Sequence, residues 1–227
     1  MEWIREELFK NKDDKYKNFQ SSLIPTLDKD RIIGVRAPIW QSIAKQIIKN
    51  GEDDEFLFSL PHYYLEENNL HAAILSKKRC SFEETLMLTE KFLPYIDNWA
   101  TCDSFLPAAF KDDPEKVLPH INRWLKSEHT YTVRFAIVLL FKLFLKAHFR
   151  PEINNMLKGI KTDDYYINMA LAWYYSVALV EQYDHTIKIL EEKSLSKFVQ
   201  NRSIQKAIDS YRIPKETKDY LRTLRIR

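Results

Sequence analysis

The sequence predicts an all-α protein of stacked helix pairs, and three observations support this fold class. Only three glycines occur among the 227 residues, too few for the many tight turns of β-barrels and β-sandwiches. Apolar residues recur at helical spacing along most of the chain. Short breaks that carry Pro, Asp, Asn or Gly separate these stretches, and none is long enough to divide the chain. We therefore expect a single domain over residues 1–227.

The individual helices follow from the spacing of the apolar residues. Residues 2–10, which precede Tyr16, leave room for one short helix. Apolar periodicity then predicts helices over 44–48, 86–92, 117–125, 133–145, 165–180 and 204–211. The stretches 133–145 and 165–180 are apolar on nearly every side, which is typical of helices buried in a core.

A Leu-Pro pattern suggests a weak internal repeat. Its three copies are Leu60-Pro61-His62, Leu93-Pro94-Tyr95 and Leu118-Pro119-His120. The copies are separated by 33 and 25 residues, and each opens a segment that leads to an apolar helix. This irregular spacing fits stacked helix pairs, which build a curved solenoid (an α-α superhelix) with a concave binding surface. A helical bundle with chance Leu-Pro turns is the alternative.

The composition excludes several classes of protein. With 45% hydrophobic and 30% charged residues, the chain is globular rather than disordered. Cys80, Cys102 and the six scattered histidines lack the spacing of metal ligands, so we expect no metal and no cofactor. The apolar run 135–141 ends at Lys142 and is too short to cross a bilayer, and no signal peptide opens the chain. We expect a cytoplasmic monomer without membrane contact.

The charge of the chain is small overall but uneven. The net charge is +3, yet residues 193–227 contain ten Lys or Arg and three Asp or Glu. This segment therefore carries +7, and the rest of the chain carries −4. A basic end on a mildly acidic body predicts a polyanionic partner that is contacted locally. A solvated helical surface explains the same charge pattern equally well.

The segment 97–103 contains the clearest candidate for a functional site. Trp99 and Asp103 lie four residues apart, so they share one face of a helix. Asp97 or Asn98, just upstream, would cap the N-terminus of that helix. The sequence thus predicts a carboxylate and an indole side by side near the positive end of a helix. Such a pair suits a cation or a developing positive charge.

Two further residues stand out in the apolar helices. Arg134 must pair with a carboxylate or reach a ligand, because burying a guanidinium alone costs too much free energy. Asp103 is the carboxylate that we propose, and a purely structural Asp–Arg bridge between two repeats is equally open. Trp173 shares one helix face with Tyr166, Met169 and Val177. Core packing is the simplest explanation of that stripe.

In these residues and in several short motifs, the chain resembles the AlkD-like DNA alkylation repair family. The resemblance covers nearly the whole chain and keeps the order of the motifs. The motifs that carry it are Gly34-Val35-Arg36-Ala37-Pro38, Asp97-Asn98-Trp99 with Asp103, Tyr131-Thr132-Val133-Arg134-Phe135, residues 165–173, and Gln205-Lys206-Ala207-Ile208.

The resemblance implies a C-shaped stack of HEAT-like helical repeats and, in active members, a glycosylase. Such enzymes excise cationic N3- or N7-alkylated purines from duplex DNA. By resemblance, Asp103 takes the catalytic position, where it stabilises the oxocarbenium ion and orients water. Trp99 and Trp173 take the two aromatic positions beside the lesion. The nucleic-acid contacts that we expect are Arg134, Arg202, Lys206 and Tyr16.

The sequence leaves two functions open. The first is this glycosylase-type hydrolysis of alkylated purines in double-stranded DNA. The second is a non-catalytic HEAT-repeat scaffold of the same family, with weak or no DNA binding, that acts through nucleic-acid or protein contacts. The family includes non-enzymatic branches, and residues 20–31 ahead of Gly34 depart from the glycosylase pattern.

Overall fold

The computed structural model describes residues 2–227, and fifteen α-helices account for most of them. They are α1 (Glu2–Lys10), α2 (Asp14–Leu23), α3 (Ala37–Asn50), α4 (Asp53–Phe58), α5 (Leu65–Lys77), α6 (Phe82–Phe92), α7 (Trp99–Ser104), α8 (Ala108–Asp112), α9 (Pro114–Trp124), α10 (Thr130–Phe144), α11 (Pro151–Lys158), α12 (Tyr165–Glu181), α13 (Tyr183–Glu191), α14 (Lys197–Asp209) and α15 (Lys215–Thr223). No β-strand occurs among these residues. The predicted all-α, helical-repeat fold class is confirmed.

Every helix predicted from apolar spacing is present. The segment 2–10 is α1, and the six other predictions fall on α3, α6, α9, α10, α12 and α14. All of these except α12 begin three to seven residues earlier than predicted, and no predicted end is more than two residues too late. One Leu-Pro segment differs from expectation, because Pro119 lies inside α9 rather than ahead of a helix. The fixed φ of proline is compatible with a helix, although Pro119 contributes no backbone N–H and so removes one hydrogen bond from α9.

Two compact units make up the described residues. The first ends at Asp113, and the second is Pro114–Arg227. In the first unit, α5 contacts α3, α4, α6, α7 and α8. In the second unit, α12 contacts α10, α13 and α14, and α14 also contacts α15. The single domain expected over residues 1–227 stays a prediction.

Helix α5 forms the centre of the first unit, although its sequence contains many polar residues. Every residue from Leu65 to Leu75 is buried, and that stretch includes five polar side chains: Glu66, Glu67, Asn68, Asn69 and His71. These polar residues hide the apolar periodicity, which is why the sequence did not predict this helix. Several of them hydrogen-bond to neighbouring segments, so they tie the unit together.

Glu66 fixes the segment that leads into α3. Its carboxylate accepts hydrogen bonds from the backbone N–H groups of Ile33, Gly34 and Val35, at 3.0, 2.7 and 3.0 Å. Gly34 has a φ of +95°, and a Cβ there would lie 2.6 Å from the carbonyl oxygen of Asp13. Only glycine fits this close approach of two backbones. The glycine of the motif at 34–38 is therefore required by the backbone structure.

The second unit is built around α10 and α12. All ten residues from Tyr131 to Leu140 are buried, as the continuous apolar sequence of α10 predicts. A buried polar cluster joins α11 to α12, because Asn154 accepts from the hydroxyls of Tyr174 and Tyr175 at 2.6 and 2.9 Å. Burial raises the pKa of both tyrosine hydroxyls, so they stay protonated and donate these bonds.

Candidate functional site

The short helix α7 carries Trp99 and Asp103, and Asn98 caps its N-terminus. Asn98 has an extended backbone, and its side-chain oxygen accepts from the N–H of Thr101 at 2.9 Å. Of the two caps that the sequence allows, the structure uses Asn98. Asp97 instead accepts from the Asn98 side-chain amide at 3.0 Å.

A buried side-chain network attaches α7 to the central helix α5. The hydroxyl of Thr101 accepts from the Asn98 amide at 3.0 Å and donates to the amide oxygen of Asn69 at 2.7 Å. All three side chains are at most 5% exposed. The network therefore sets the position of the helix that presents Trp99 and Asp103. Sequence reasoning missed Asn69, because nothing local marks a contact 32 residues away.

Asp103 is half-buried in the last turn of α7, which ends at Ser104. The prediction that this carboxylate lies near the positive end of a helix is wrong. In a helix of six residues, position five is close to the negative end, and only Trp99 lies at the N-terminus. The shared face is retained, since the two residues are still one turn apart.

Trp99 is half-buried and contacts the segment 23–32 of its own chain. Its indole N–H donates to the carbonyl oxygen of Leu23 at 3.0 Å. Its ring packs against a small apolar cluster. The buried members of that cluster are Ile24, Leu27, Ile32 and Leu65. One side of the indole is thus occupied within the protein.

An ion pair holds the same segment beside α7. The Arg31 guanidinium lies 2.7 Å from the Asp97 carboxylate. Arg31 also donates to the carbonyl oxygen of Tyr63 at 2.9 Å, and its guanidinium lies 5.8 Å from the centre of the Tyr63 ring. Residues 23–32 are therefore part of the surroundings of Trp99.

Tyr16 lies in the first turn of α2 and is half-buried. The guanidinium of Arg36 lies 4.9 Å from the centre of its ring, and both residues hydrogen-bond to Asp13. Asp13 accepts hydrogen bonds from the Tyr16 N–H and from the Arg36 guanidinium. Both bonds lower the pKa of the Asp13 carboxyl group, and the bond from Tyr16 has the larger effect. Tyr16 and Arg36 thus present a cation and an aromatic ring together on the first unit.

Arg134 is 6% exposed and lies in the first turns of α10. It donates from Nη1 to the carbonyl oxygen of Tyr166 at 2.8 Å. The sequence predicts a carboxylate or a ligand as the partner of Arg134, and it does not reveal this backbone carbonyl. This bond connects α10 to the start of α12, which also carries Trp173. The pairing with Asp103 stays a prediction.

Trp173 belongs to the accessible side of α12. Its ring is half-buried and lies 4.5 Å from the ring of Phe141. The other members of the predicted stripe, Tyr166, Met169 and Val177, are also half-buried. Most of the neighbouring residues of α12 are fully buried. The stripe therefore faces partly outward, as a binding surface requires, rather than into the core.

The two basic candidates of α14 differ in exposure. Arg202 is exposed, and its guanidinium lies 5.8 Å from the centre of the Phe198 ring. Lys206, one turn further on, is half-buried. Phe198 was not singled out in the sequence. It is 38% exposed, and its ring contacts that of Tyr165 at 6.0 Å.

These observations define a helical-repeat protein that presents half-buried tryptophans and basic side chains. A sequence profile of the DNA alkylation repair enzyme family matches residues 4–206. The chain belongs to this family, which confirms the resemblance and supports a role in DNA alkylation repair. No individual curated protein sequence matches the chain significantly.

Two classes of feature are absent from the described part of the chain. Among residues 2–227, no helix combines the length and the apolar character that crossing a membrane requires. Within the same residues, no three His, Cys, Asp or Glu side chains are grouped so that they would hold a metal ion. His62 and His71 do meet, with 2.9 Å between their ring nitrogens, although the sequence suggested only scattered histidines.

Proposed function

We propose that this protein is a DNA glycosylase that hydrolyses the N-glycosidic bond of cationic N3- or N7-alkylated purines in duplex DNA. The observation that carries the proposal is the Trp99–Asp103 pair on α7, in a chain of the DNA alkylation repair enzyme family. The alkylated base is already a cation, so it leaves without a strong general acid. A half-buried carboxylate one turn from a half-buried indole suits that requirement.

In the proposed reaction, the electron pair of the breaking glycosidic bond moves into the purine, which departs as a neutral base. The sugar gains positive charge in an oxocarbenium-like transition state. The Asp103 carboxylate stabilises that charge and orients a water molecule. The water oxygen bonds to the anomeric carbon, and its proton passes to the carboxylate and then to solvent.

The other candidate residues contribute binding. The faces of Trp99 and Trp173 attract the cationic base, by roughly 0.5–2 kcal/mol each. The proposed contacts with the DNA backbone are Arg134, Arg202, Lys206 and Tyr16. Exposure supports Arg202 most strongly, because its guanidinium is accessible and held over an aromatic ring.

Base release from alkylated DNA tests the proposal. Duplexes that carry 7-methylguanine or 3-methyladenine are incubated with the wild-type protein, with Asp103→Asn and with Asp163→Asn. Asp163 is an exposed carboxylate of the second unit and serves as the matched control. We expect single-turnover release to fall at least about hundred-fold in Asp103→Asn, since a charge that stabilises the transition state is removed. Asp163→Asn should match the wild type.

The proposal fails if the wild-type protein releases no methylated base while an active alkylpurine glycosylase does so in parallel. It also fails if Asp103→Asn and Asp163→Asn release base at equal rates. Circular dichroism of each variant separates loss of catalysis from loss of fold.

A second candidate function is a non-catalytic helical-repeat scaffold. The contacts of Trp99 favour it, because the indole N–H and one side of the ring already bind residues of the same chain. This function predicts that Asp103→Asn leaves the alkylation resistance of cells unchanged. Loss of resistance in cells that carry Asp103→Asn, but not in cells that carry Asp163→Asn, would exclude the scaffold.

A further inference from the structure

A cleft of the second unit gathers three cations against α14. Its volume is about 590 Å³. It is lined by Lys197, Phe198, Asn201, Arg202, Gln205 and Arg225, with no carboxylate among them. Five of these residues follow one side of α14, and Arg225 comes from the segment after α15, here called the tail (224–227). We call the whole feature the α14–tail cleft.

The cations of the α14–tail cleft are not neutralised within the chain. In the described residues, neither Lys197 nor Arg202 forms an ion pair, and Arg225 donates to the amide oxygen of Gln205. Nearby arginines behave differently, because Arg212 binds Glu181 and Arg222 binds Asp219. Like charges that share a cleft repel one another, so an anion that entered it would be bound favourably.

The tail is fixed before any ligand arrives. The Asn201 side chain donates to the carbonyl oxygen of Ile226 at 2.8 Å and accepts from its N–H at 2.9 Å. The buried Gln200 donates to the carbonyl oxygen of Leu224 at 2.8 Å. Arg225 therefore lies between two anchored residues. A cleft that is ordered in advance loses less conformational entropy when it binds.

An aromatic contact also restrains Arg202. Its guanidinium lies 5.8 Å from the centre of the Phe198 ring, and the Phe198 ring in turn contacts Tyr165. Cation–π contact leaves the edge of a guanidinium available for hydrogen bonds. Planar guanidinium groups and a lysine, presented together with side-chain amides, are the groups that proteins use to bind phosphate.

We propose that the α14–tail cleft binds phosphate groups of a nucleic-acid backbone, with Lys197 and Arg225 as contacts beside Arg202. The inference rests on the proposed function in that it takes the anion to be DNA. It extends that function, because Arg225 lies beyond residues 4–206 that match the family. Backbone contacts of this kind bind without regard to sequence and position the protein on the duplex.

Salt-dependent binding of undamaged DNA tests this cleft. The affinity of a short fluorescein-labelled duplex is measured by anisotropy over a range of salt concentrations. The double variant Lys197→Gln/Arg225→Gln should bind about ten-fold more weakly at moderate salt. Its slope of log affinity against log salt should be smaller by about 2, because two phosphate contacts release no counter-ions.

Two control variants make the test specific. Lys188→Gln/Lys215→Gln removes the same charge from exposed positions outside the α14–tail cleft, and should keep nearly the full slope. Lys197→Arg/Arg225→Lys keeps the charge in the cleft and should retain wild-type binding. The proposal is overturned if both Gln double variants change the slope equally, or if the wild-type protein does not bind the duplex at low salt.

The measurement of DNA binding does not depend on base release. Undamaged DNA contains no alkylated purine, so binding is measured without the reaction assigned to Asp103. Loss of binding in the cleft variant together with no base release by the wild type would contradict the glycosylase function and support the cleft. Base release by the wild type, with an unchanged salt slope in the cleft variant, would support the glycosylase function and contradict binding at the cleft.

Discussion

Trp99, Arg134 and Glu66 each use polar atoms to hold the backbone of a distant segment. Trp99 donates to Leu23, and Arg134 donates to Tyr166. Glu66 accepts from three consecutive N–H groups. A buried polar group that lacks a partner costs about 1–3 kcal/mol, so the hydrogen bonds of the buried residues Glu66 and Arg134 stabilise the fold. Substitutions of Glu66 and Arg134 should therefore lower the stability of the fold.

Gly34 gives the sharpest prediction for a single residue. Gly34→Ala places a Cβ 2.6 Å from the carbonyl oxygen of Asp13, at a φ of +95°. Because the obstacle is backbone, we expect the free energy of unfolding to fall by about 3 kcal/mol or more. Denaturant titration measures the change.

Gly51→Ala is the matched control for this prediction. Gly51 also has a positive φ, of +73°, but a Cβ there would meet nothing within 4 Å. The control should therefore lose only the cost of the left-handed backbone, about 1–2 kcal/mol. Equal losses in the two variants would show that the close approach to Asp13 is not what requires glycine at position 34.

At the scale of elements, α7 depends on its contacts with α5. A helix of six residues is not stable by itself in water, so its position is set by packing and capping. The Asn98–Thr101–Asn69 network provides a cap at the N-terminus of α7 and a hydrogen bond from α7 to α5. The geometry of Trp99 and Asp103 thus depends on the side chains of the Asn98–Thr101–Asn69 network.

Thr101→Val tests this dependence with a side chain of the same shape. The hydroxyl is lost, so the buried amide oxygen of Asn69 loses its partner on α7. We expect the free energy of unfolding to fall by about 2 kcal/mol. Thr26→Val, at an exposed position, should change it by less than about 0.5 kcal/mol. An equally small effect at Thr101 would mean that the network does not hold α7 in place.

At the scale of the whole molecule, a buried histidine pair limits stability in acid. His62 and His71 hydrogen-bond at 2.9 Å, and their rings stack on Phe56 and Phe92. Burial lowers the pKa of His62 from 6.5 to about 4. Burial, together with the neighbouring His62, lowers the pKa of His71 well below its usual range. Both rings are therefore neutral in the folded protein at neutral pH.

The folded protein should lose stability as the pH falls from about 6.5 towards 4. In that range the unfolded chain binds protons at both histidines and the folded chain does not, so acid favours unfolding. His62 alone contributes a loss of about 3 kcal/mol by pH 4. Thermal or urea unfolding at a series of pH values measures it.

Two variants test whether the loss of stability in acid arises from His62 and His71. His62→Leu/His71→Leu replaces both partners with apolar groups and should flatten the pH dependence. His185→Gln, at an exposed position, should leave it unchanged. If the double variant keeps the steep wild-type dependence, the acid sensitivity arises from other groups, such as the carboxylates.

Sequence by itself determined the fold class, the family and about half of the helices, whereas α5 was not predicted. Helical periodicity and capping are local properties, so α10, α12 and a cap at Asp97 or Asn98 could be predicted from neighbouring residues, and the structure shows that Asn98 is the cap. The pairing of Trp99 with Asp103 on one face followed from the same local geometry. These features need only the four or five residues that surround each position.

Only the tertiary structure decided which end of α7 carries Asp103, what covers Trp99, and where Arg225 lies. Each depends on contacts across tens of residues, such as Trp99 with Leu23 or Asn201 with Ile226. Hydrogen bonds to distant segments also make Glu66, Glu67 and Asn69 of α5 compatible with a core, and the sequence does not reveal those partners. Long-range packing, rather than local periodicity, sets the surroundings in which the candidate residues act.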